Sequence, residues 1–255
     1  MQKAKQAFVT YPVFKQGFLE KYKLSDYNNA SQPAIFFGVY KKTLPAILNH
    51  KAPLILIWVG TDCLQAFRQP HVYAPLFQRK DVKHIVISDV GARTLSFTPI
   101  GHKPFHYSIT PFTYNEFKPV PMGNKAYYYG LGTNPAVYSR QTFDYIKPLL
   151  KDHNIAFHEV TDQRTPRSNM PGVYAQCFCN LRLTMHDGLP NSVIEMALMG
   201  RHSLWNGKAP GTHKWNCFTD IIKFIMQMKE QTEPDLLLRE QTLDFINVPD
   251  KWMEM

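Results

Sequence analysis

The sequence predicts an α/β protein built from two parallel sheets with helices on both faces. Short apolar runs of strand length alternate with helical segments, and this rhythm is typical of parallel sheets. The segment Thr110–Asn124 holds three prolines and divides the alternation into two series. We therefore expect a first domain over residues 1–115, a second domain over 116–230, and a C-terminal helical segment, 231–255, that can pack back on the first domain.

The first series contains the clearest strand of the chain, Leu54–Val59. This apolar run is bounded by Pro53 and Gly60, as expected of a buried strand. The other strands of this series are predicted over Ala34–Tyr40, Lys83–Ser88 and Phe105–Ile109. Helices are predicted over Thr43–Asn49, over Val72–Gln78 and from Asp89 onwards. Residues 8–27 mix aromatic side chains and lysines without a firm period, so no element is predicted there.

The second series repeats the same alternation after the proline-containing segment. Strands are predicted over Ala126–Leu131, Ile155–Val160, Cys177–Leu181 and His202–Trp205. Helices are predicted over Ser139–Leu150, Met170–Ala175, Thr219–Glu230 and Asp235–Phe245.

Composition limits the class of protein. Hydrophobic residues at 44% suffice for ordinary cores and argue against an intrinsically disordered chain. No stretch approaches the roughly 18 apolar residues of a membrane-spanning helix, and no apolar core of signal-peptide length is present, so we expect a cytoplasmic protein. The four cysteines form no CxxC pair and are expected to be reduced.

The net charge of +9 is confined to the first part of the chain. Residues 1–120 contain 15 Lys and Arg against 6 Asp and Glu, whereas the remainder is balanced at 14 against 14. This excess predicts an anionic partner, such as an anionic membrane surface contacted peripherally or a polyanionic acceptor. A merely solvated surface is the alternative. Nucleic acid is not expected, because the sequence shows no DNA- or RNA-binding motif.

The stretch Leu181–Gly200 (LRLTMHDGLPNSVIEMALMG) is the most informative part of the sequence. A helix is predicted from about Asn191 to Met199, with Gly200 as its stop. Asp187 lies in the turn before this helix, and Glu195 follows eight positions later, on a different face from the apolar residues. A helix N-terminus attracts phosphate, and carboxylates accept hydrogen bonds from sugar hydroxyls. The pattern therefore predicts a sugar–diphosphate–ribose ligand. The structural alternative is an ordinary surface helix with one exposed glutamate.

This stretch resembles the donor-binding motif of GT-B-fold glycosyltransferases of the "glycosyl transferases group 1" family, in which an acidic residue, seven intervening residues and a glutamate open a helix. The resemblance implies two Rossmann-like domains facing a cleft, here with a reduced N-terminal domain. It implies that Asp187 contacts the transferred sugar and that Glu195 holds the ribose. It also implies that the backbone from Gly188 to Ser192 lines the phosphates. These lining residues are Gly188, Leu189, Pro190, Asn191 and Ser192.

Further residues are candidates for the same site. Arg182 or Arg140 is expected to contact the diphosphate, each weighed against an ordinary surface or salt-bridged residue. Gly132 follows a predicted strand, where the backbone can approach the diphosphate. His186 is a candidate contact of the donor sugar, or only a hydrogen-bonding loop residue.

Asp62 follows the strand Leu54–Val59, at the edge of the sheet where ligands of open α/β sheets bind. It is a candidate to orient or deprotonate an acceptor hydroxyl. Its structural alternative is the N-cap of a helical segment over 63–67.

The function predicted from these residues and from the resemblance is transfer of a sugar from a UDP- or GDP-linked donor to a glycan or lipid-linked acceptor. The resemblance implies retention of anomeric configuration, without metal and without any cofactor besides the donor. The alternative is a degenerate glycosyltransferase-like protein that serves as a binding or regulatory subunit without turnover. Both interpretations place the protein in the cytoplasm, with a peripheral membrane location left open.

Overall fold

The computed structural model describes residues 3–100, 104–130, 139–151, 153–161, 165–184 and 187–254. The chain forms two compact units. The first unit comprises Met1–Thr113, Asp187–Leu189 and Ile246–Met255, and the second comprises Tyr114–His186 and Pro190–Phe245. Each unit is therefore assembled from more than one segment of the chain.

The first unit contains a six-stranded sheet in the order β2-β1-β3-β4-β5-β6, with every pairing parallel. Its strands are β1 (Gln6–Val9), β2 (Ser25–Asp26), β3 (Ala34–Phe37), β4 (Leu54–Trp58), β5 (Val82–Val86) and β6 (Phe105–His106). Its helices are α1 (Pro12–Tyr22), α2 (Leu44–Asn49), α3 (Thr61–Arg68), α4 (Pro70–Phe77) and α5 (Asp89–Ser96).

The central strand β4 shows why this sheet is covered on both faces. Leu54, Leu56 and Trp58 belong to one apolar cluster, whereas Ile55 and Ile57 belong to another. Successive side chains of a strand point to opposite faces, so an unbroken apolar run requires a core on each side. The strand predicted over Leu54–Val59 is thus confirmed and ends one residue earlier.

Three elements of the first unit, β1, α1 and the two-residue strand β2, lie within residues 8–27 or just before them, where no element was predicted. Phe18 is the buried residue of α1. In β1, the polar Gln6 is buried because its amide exchanges hydrogen bonds with backbone groups of Asn28, Asn29 and Gln32. A helix with a narrow buried face and a strand with a buried glutamine both lack the hydrophobic period that identifies such elements.

The second unit contains a five-stranded parallel sheet in the order β11-β10-β9-β7-β8. Its strands are β7 (Lys125–Tyr129), β8 (Ala156–Val160), β9 (Cys177–Leu181), β10 (Ser203–Leu204) and β11 (Thr212–His213). Its helices are α6 (Arg140–Lys151), α7 (Met170–Ala175), α8 (Asn191–Leu198), α9 (Phe218–Lys229) and α10 (Leu236–Ile246).

The strand order of the second unit reverses between β7 and β9. The chain leaves β7 toward β8 on one side and leaves β9 toward β10 on the other. Open α/β sheets bind ligands outside the carboxyl ends of their strands at such a point. The connection from β9 to β10 carries Arg182 and α8, so the topology places the predicted donor stretch at this point of the sheet.

No helix in the described ranges is long and apolar enough to span a bilayer. The segment 231–255 was predicted as a C-terminal helix; its described residues contain α10 and a short 3₁₀ helix, Asp250–Met253. Trp252 of that 3₁₀ helix is buried in the first unit, where its ring meets Tyr22 edge-on at 5.1 Å.

Candidate functional site

The helix α8 begins at Asn191, as predicted, and ends at Leu198, one residue earlier than predicted. Pro190 precedes it, and Gly200 follows in a left-handed conformation with φ of +78°. The N–H of Gly200 donates to the Ala197 carbonyl and that of Arg201 to the Met196 carbonyl, which is the Schellman arrangement. Residues 192–198 are all buried, including Ser192 and Glu195. The alternative of a surface helix with one exposed glutamate is therefore wrong, because α8 has no solvent-facing polar side in this range.

Glu195 is 4% exposed and has two polar partners from other segments of the second unit. The Tyr174 hydroxyl, on α7, donates to Glu195 Oε2 at 2.9 Å. Arg167 forms an ion pair in which its Nε lies 3.4 Å from Glu195 Oε1. Arg167 belongs to the 3₁₀ helix Arg167–Asn169, which runs directly into α7, so one continuous segment supplies both partners.

Arg167 is itself held from two further sides. Its Nη1 donates to Glu116 Oε1. Its guanidinium lies over the rings of Tyr114 and Phe117, 5.4 and 5.1 Å from their centroids, in cation–π geometry. The Tyr114 hydroxyl donates to Asn191 Oδ1 at 3.1 Å, which ties this cluster to the first residue of α8.

Burial dominates the electrostatics of Glu195. Desolvation raises the pKa of Glu195 to about 7, while the charge of Arg167 and the hydrogen bond from Tyr174 oppose that rise. Glu116 raises the pKa further, as a second negative charge nearby. The pKa of Tyr174 is raised well above its usual value, by burial first and by Glu195 second, so its hydroxyl remains a donor. Glu195 therefore titrates near neutral pH.

Two buried hydroxyls near α8 have no hydrogen-bond partner among the described residues. They belong to Ser192, in the first turn of α8, and to Thr184, in the segment between β9 and α8. Burial of a hydroxyl without a hydrogen-bond partner destabilises a protein by about 1–3 kcal/mol, so each such group needs an explanation, for example a ligand that supplies the missing partner. A ligand oxygen at the start of α8 would supply the partner that Ser192 lacks.

Arg182 is mostly buried just after β9, and its guanidinium lies 4.5 Å from the centroid of the Tyr129 ring. This position, at the carboxyl end of the strand beside the reversal, fits the diphosphate contact predicted for it. Arg140 begins α6, where its side chain is 41% exposed and pairs with Asp144 at 3.9 Å. Arg140 therefore fits the surface alternative. Gly132 and His186 lie outside the described residues.

Asp187, Gly188 and Leu189 belong to the first unit. A Cβ on Gly188 would lie 2.0 Å from the Val59 carbonyl oxygen, and a Cβ on Gly60 would lie 2.8 Å from the Gly188 nitrogen. Leu189 packs against an apolar cluster of the same unit. Asp187 is half-buried and accepts a hydrogen bond from the N–H of Gly188 at 2.9 Å. Gly188 is thus required by close backbone packing.

Asp62 is fully buried in the first turn of α3. Its carboxylate accepts hydrogen bonds from four backbone N–H groups, those of Val39, Val59, Gly60 and Cys63. Burial raises the pKa of Asp62, and these N–H groups lower it. This environment contradicts the acceptor-base interpretation, because no surface of the carboxylate is open to a substrate hydroxyl. Asp62 instead joins the loops that follow β3 and β4.

Sequence reasoning missed Glu116, Arg167 and Tyr174. These residues lie far from Glu195 along the chain, and nothing in their local patterns marks them as its neighbours. Within the described ranges, no three His, Cys, Asp or Glu side chains converge as metal ligands.

Comparison with protein-family models and with curated proteins finds no match. Solved structures do resemble the chain. A crystal structure of a point mutant of S. aureus TarM, in complex with Fondaparinux, alpha-GlcNAc-glycerol and UDP, aligns with a TM-score of 0.59 at 11% identity, over 92% of this chain and 56% of TarM. A second TarM structure aligns with a TM-score of 0.55 at 12% identity, over 92% of this chain and 55% of TarM. TarM is a GT-B glycosyltransferase, and this chain has the GT-B glycosyltransferase fold. It spans little more than half the length of these structures.

Proposed function

We propose that this chain, which has the fold of GT-B glycosyltransferases, transfers a sugar from a nucleoside diphosphate to a hydroxyl of a glycan or lipid-linked acceptor. The second unit binds the donor at the point where its strand order reverses. The neighbouring TarM structure contains UDP, which makes UDP the first nucleotide to test.

The observation that carries this proposal is the buried hydroxyl of Ser192 without a partner among the described residues, in the first turn of α8. A helix N-terminus offers unpaired N–H groups and a partial positive charge, and a serine hydroxyl there can donate to a phosphate oxygen. Glu195 lies one turn further along α8, where a carboxylate can accept hydrogen bonds from the ribose hydroxyls. The order phosphate then ribose along the helix matches a nucleoside diphosphate.

The chemistry proposed for the site is stabilisation of a departing diphosphate. Negative charge grows on the diphosphate as the sugar leaves, and groups held in place beforehand stabilise it. The start of α8, the Ser192 hydroxyl and the guanidinium of Arg182 take this role. Retention of configuration and independence of metal are part of the proposal, by the resemblance of the motif.

The binding test compares Ser192→Ala with a matched serine of the same unit. Charge-assisted hydrogen bonds contribute about 1.5–3 kcal/mol, so Ser192→Ala is expected to weaken UDP binding roughly 10- to 100-fold in calorimetry. The control is Ser203→Ala, which removes a buried hydroxyl that accepts a bond from Asn180 Nδ2 at 3.0 Å. Ser203→Ala should lower stability and leave UDP affinity unchanged. Equal UDP affinity in wild type and Ser192→Ala would refute the site.

The turnover test separates an enzyme from a binding subunit. One observation favours the second role: Arg140 pairs with Asp144 at the surface, so of the two arginines predicted for the diphosphate only Arg182 fits that position. Release of UDP or GDP from UDP-glucose, UDP-N-acetylglucosamine or GDP-mannose is measured with neutral and anionic acceptors, in solution and on anionic vesicles. The excess positive charge of residues 1–120 predicts preference for the anionic acceptors. Tight nucleotide binding without release in every combination would support the subunit instead.

A further inference from the structure

We infer that Arg167 is a positioning residue for Glu195, which it holds as an oriented carboxylate that accepts hydrogen bonds from the ribose hydroxyls of a nucleotide. This inference rests on the proposed donor site. Arg167 lies outside the Asp187–Glu195 motif, 28 positions before Glu195.

The geometry gives Arg167 a defined place rather than a mobile surface position. Its Nε pairs with Glu195 Oε1 at 3.4 Å, and its Nη1 donates to Glu116. The rings of Tyr114 and Phe117 lie against the guanidinium. The Arg167 side chain is 30% exposed, whereas that of Glu195 is 5% exposed, so the arginine connects the buried carboxylate to the more accessible Glu116.

The orientation of Glu195 is set by its two partners together. Tyr174 occupies one carboxylate oxygen at 2.9 Å and Arg167 faces the other. An ionised carboxylate has about four lone-pair positions, so lone pairs remain for hydroxyl donors. A protonated carboxyl group carries a hydrogen of its own and accepts poorly on that oxygen. Recognition of a ribose diol by Glu195 therefore requires the ionised form.

The charged and titratable groups that face Glu195 decide which form is present. Arg167 favours the carboxylate, Glu116 opposes it, and Tyr174 favours it through its hydrogen bond. Tyr127 on β7 is also close enough to interact, but burial raises its pKa, so it stays neutral. Among these four neighbours, Arg167 supplies the positive charge. Its removal leaves Glu195 with the cost of burial and the repulsion from Glu116.

The first test follows Glu195 without any ligand. The carboxyl carbon of Glu195 is titrated by ¹³C NMR in wild type, Arg167→Met and Arg167→Lys, with the signal assigned by its absence in Glu195→Gln. An opposite charge at this distance shifts a carboxyl pKa by about one unit or more, so the titration midpoint should rise by about one pH unit in Arg167→Met. Arg167→Lys keeps a positive charge, so its midpoint should lie close to that of the wild type. Lys147→Met, which removes a surface ion pair with Glu159 in the same unit, should leave it unchanged.

The second test asks whether this ionisation serves nucleotide recognition. Affinity is measured from pH 6 to about pH 9 for UDP and for its 2′,3′-dideoxy analogue. The diphosphate titrates alike in both compounds, so their affinity ratio isolates the ribose hydroxyls. The preference for UDP should disappear below the Glu195 midpoint, and in Arg167→Met this loss should occur about one pH unit higher.

The outcomes separate the inference from the proposed function. An unchanged NMR midpoint in Arg167→Met overturns the positioning role, whatever binds. A UDP preference that has the same pH dependence in wild type and Arg167→Met overturns it as well. A shifted midpoint, in a protein that binds neither nucleotide at any pH, supports the control of Glu195 by Arg167 and refutes the proposed donor site.

Discussion

Replacement of Glu195 by glutamine is expected to remove a large pH dependence from the stability of the protein. The pKa of Glu195 is raised to about 7 in the folded state, against 4.5 for an ordinary glutamate. A carboxyl group with a raised folded pKa stabilises the folded state below its unfolded pKa and loses that contribution as pH rises through the folded pKa. The difference of about 2.5 pH units corresponds to about 3 kcal/mol.

The assay compares urea unfolding of wild type and Glu195→Gln at pH 5, about 6.5 and 8. Other titrating groups contribute equally to both proteins, so the difference between their unfolding free energies isolates Glu195. Relative to Glu195→Gln, wild type should lose about 2.5 kcal/mol between pH 5 and pH 8, most of it between about pH 5 and pH 7, because stability falls from the unfolded pKa up to the folded pKa and levels off above it. Glutamine keeps an oxygen that can accept the Tyr174 hydrogen bond, so the variant should fold. Parallel stability curves over this pH range would refute the burial argument for Glu195.

Two further predictions concern the first unit. Gly188→Ala should destabilise the protein by about 2 kcal/mol or more in urea unfolding, because the new Cβ meets the Val59 carbonyl. Its control is Gly172→Ala in α7, where the added Cβ has no neighbouring atom within 4 Å, so the free energy of unfolding should be unchanged or slightly higher. Equal losses of unfolding free energy in the two variants would contradict the packing argument. Asp62→Asn should cost about 2–4 kcal/mol, because one side-chain atom can no longer accept backbone N–H bonds, whereas exposed Asp26→Asn should change little. Similar urea midpoints for the two asparagine variants would refute this role of Asp62.

Parts of the fold with a local cause were predictable from the sequence. The unbroken apolar run of β4 predicts a strand buried on both faces. The end of α8 at Gly200 was predictable because glycine adopts the left-handed conformation without strain. Where the cause is not local, prediction failed. Gln6 is buried in β1 because its amide finds backbone partners in residues 28–32, and no hydrophobic period reports such contacts.

The candidate site divides in the same way. The spacing of Asp187 and Glu195 and the polar start of α8 are visible along the chain, and they predict where the candidate site lies. The environment of Glu195 is not visible there, because Arg167, Glu116 and Tyr174 arrive from segments that only the fold brings together. Asp62 shows the opposite failure. Its position after a strand predicted a catalytic role, whereas its complete burial among backbone N–H groups gives it a structural role.

The assembly of the first unit from separated segments affects how the protein can be cut into pieces. Trp252 is fully buried against Tyr22, and the Lys83 amine donates to the carbonyls of Trp252 and Glu254. A fragment ending at Thr113 therefore lacks the Trp252 indole, which belongs to the interior of the first unit. Deletion of the residues after Phe245 should for the same reason destabilise the first unit, although these residues follow the second unit in sequence. Studies of an isolated first unit need residues 246–255 supplied in the same polypeptide.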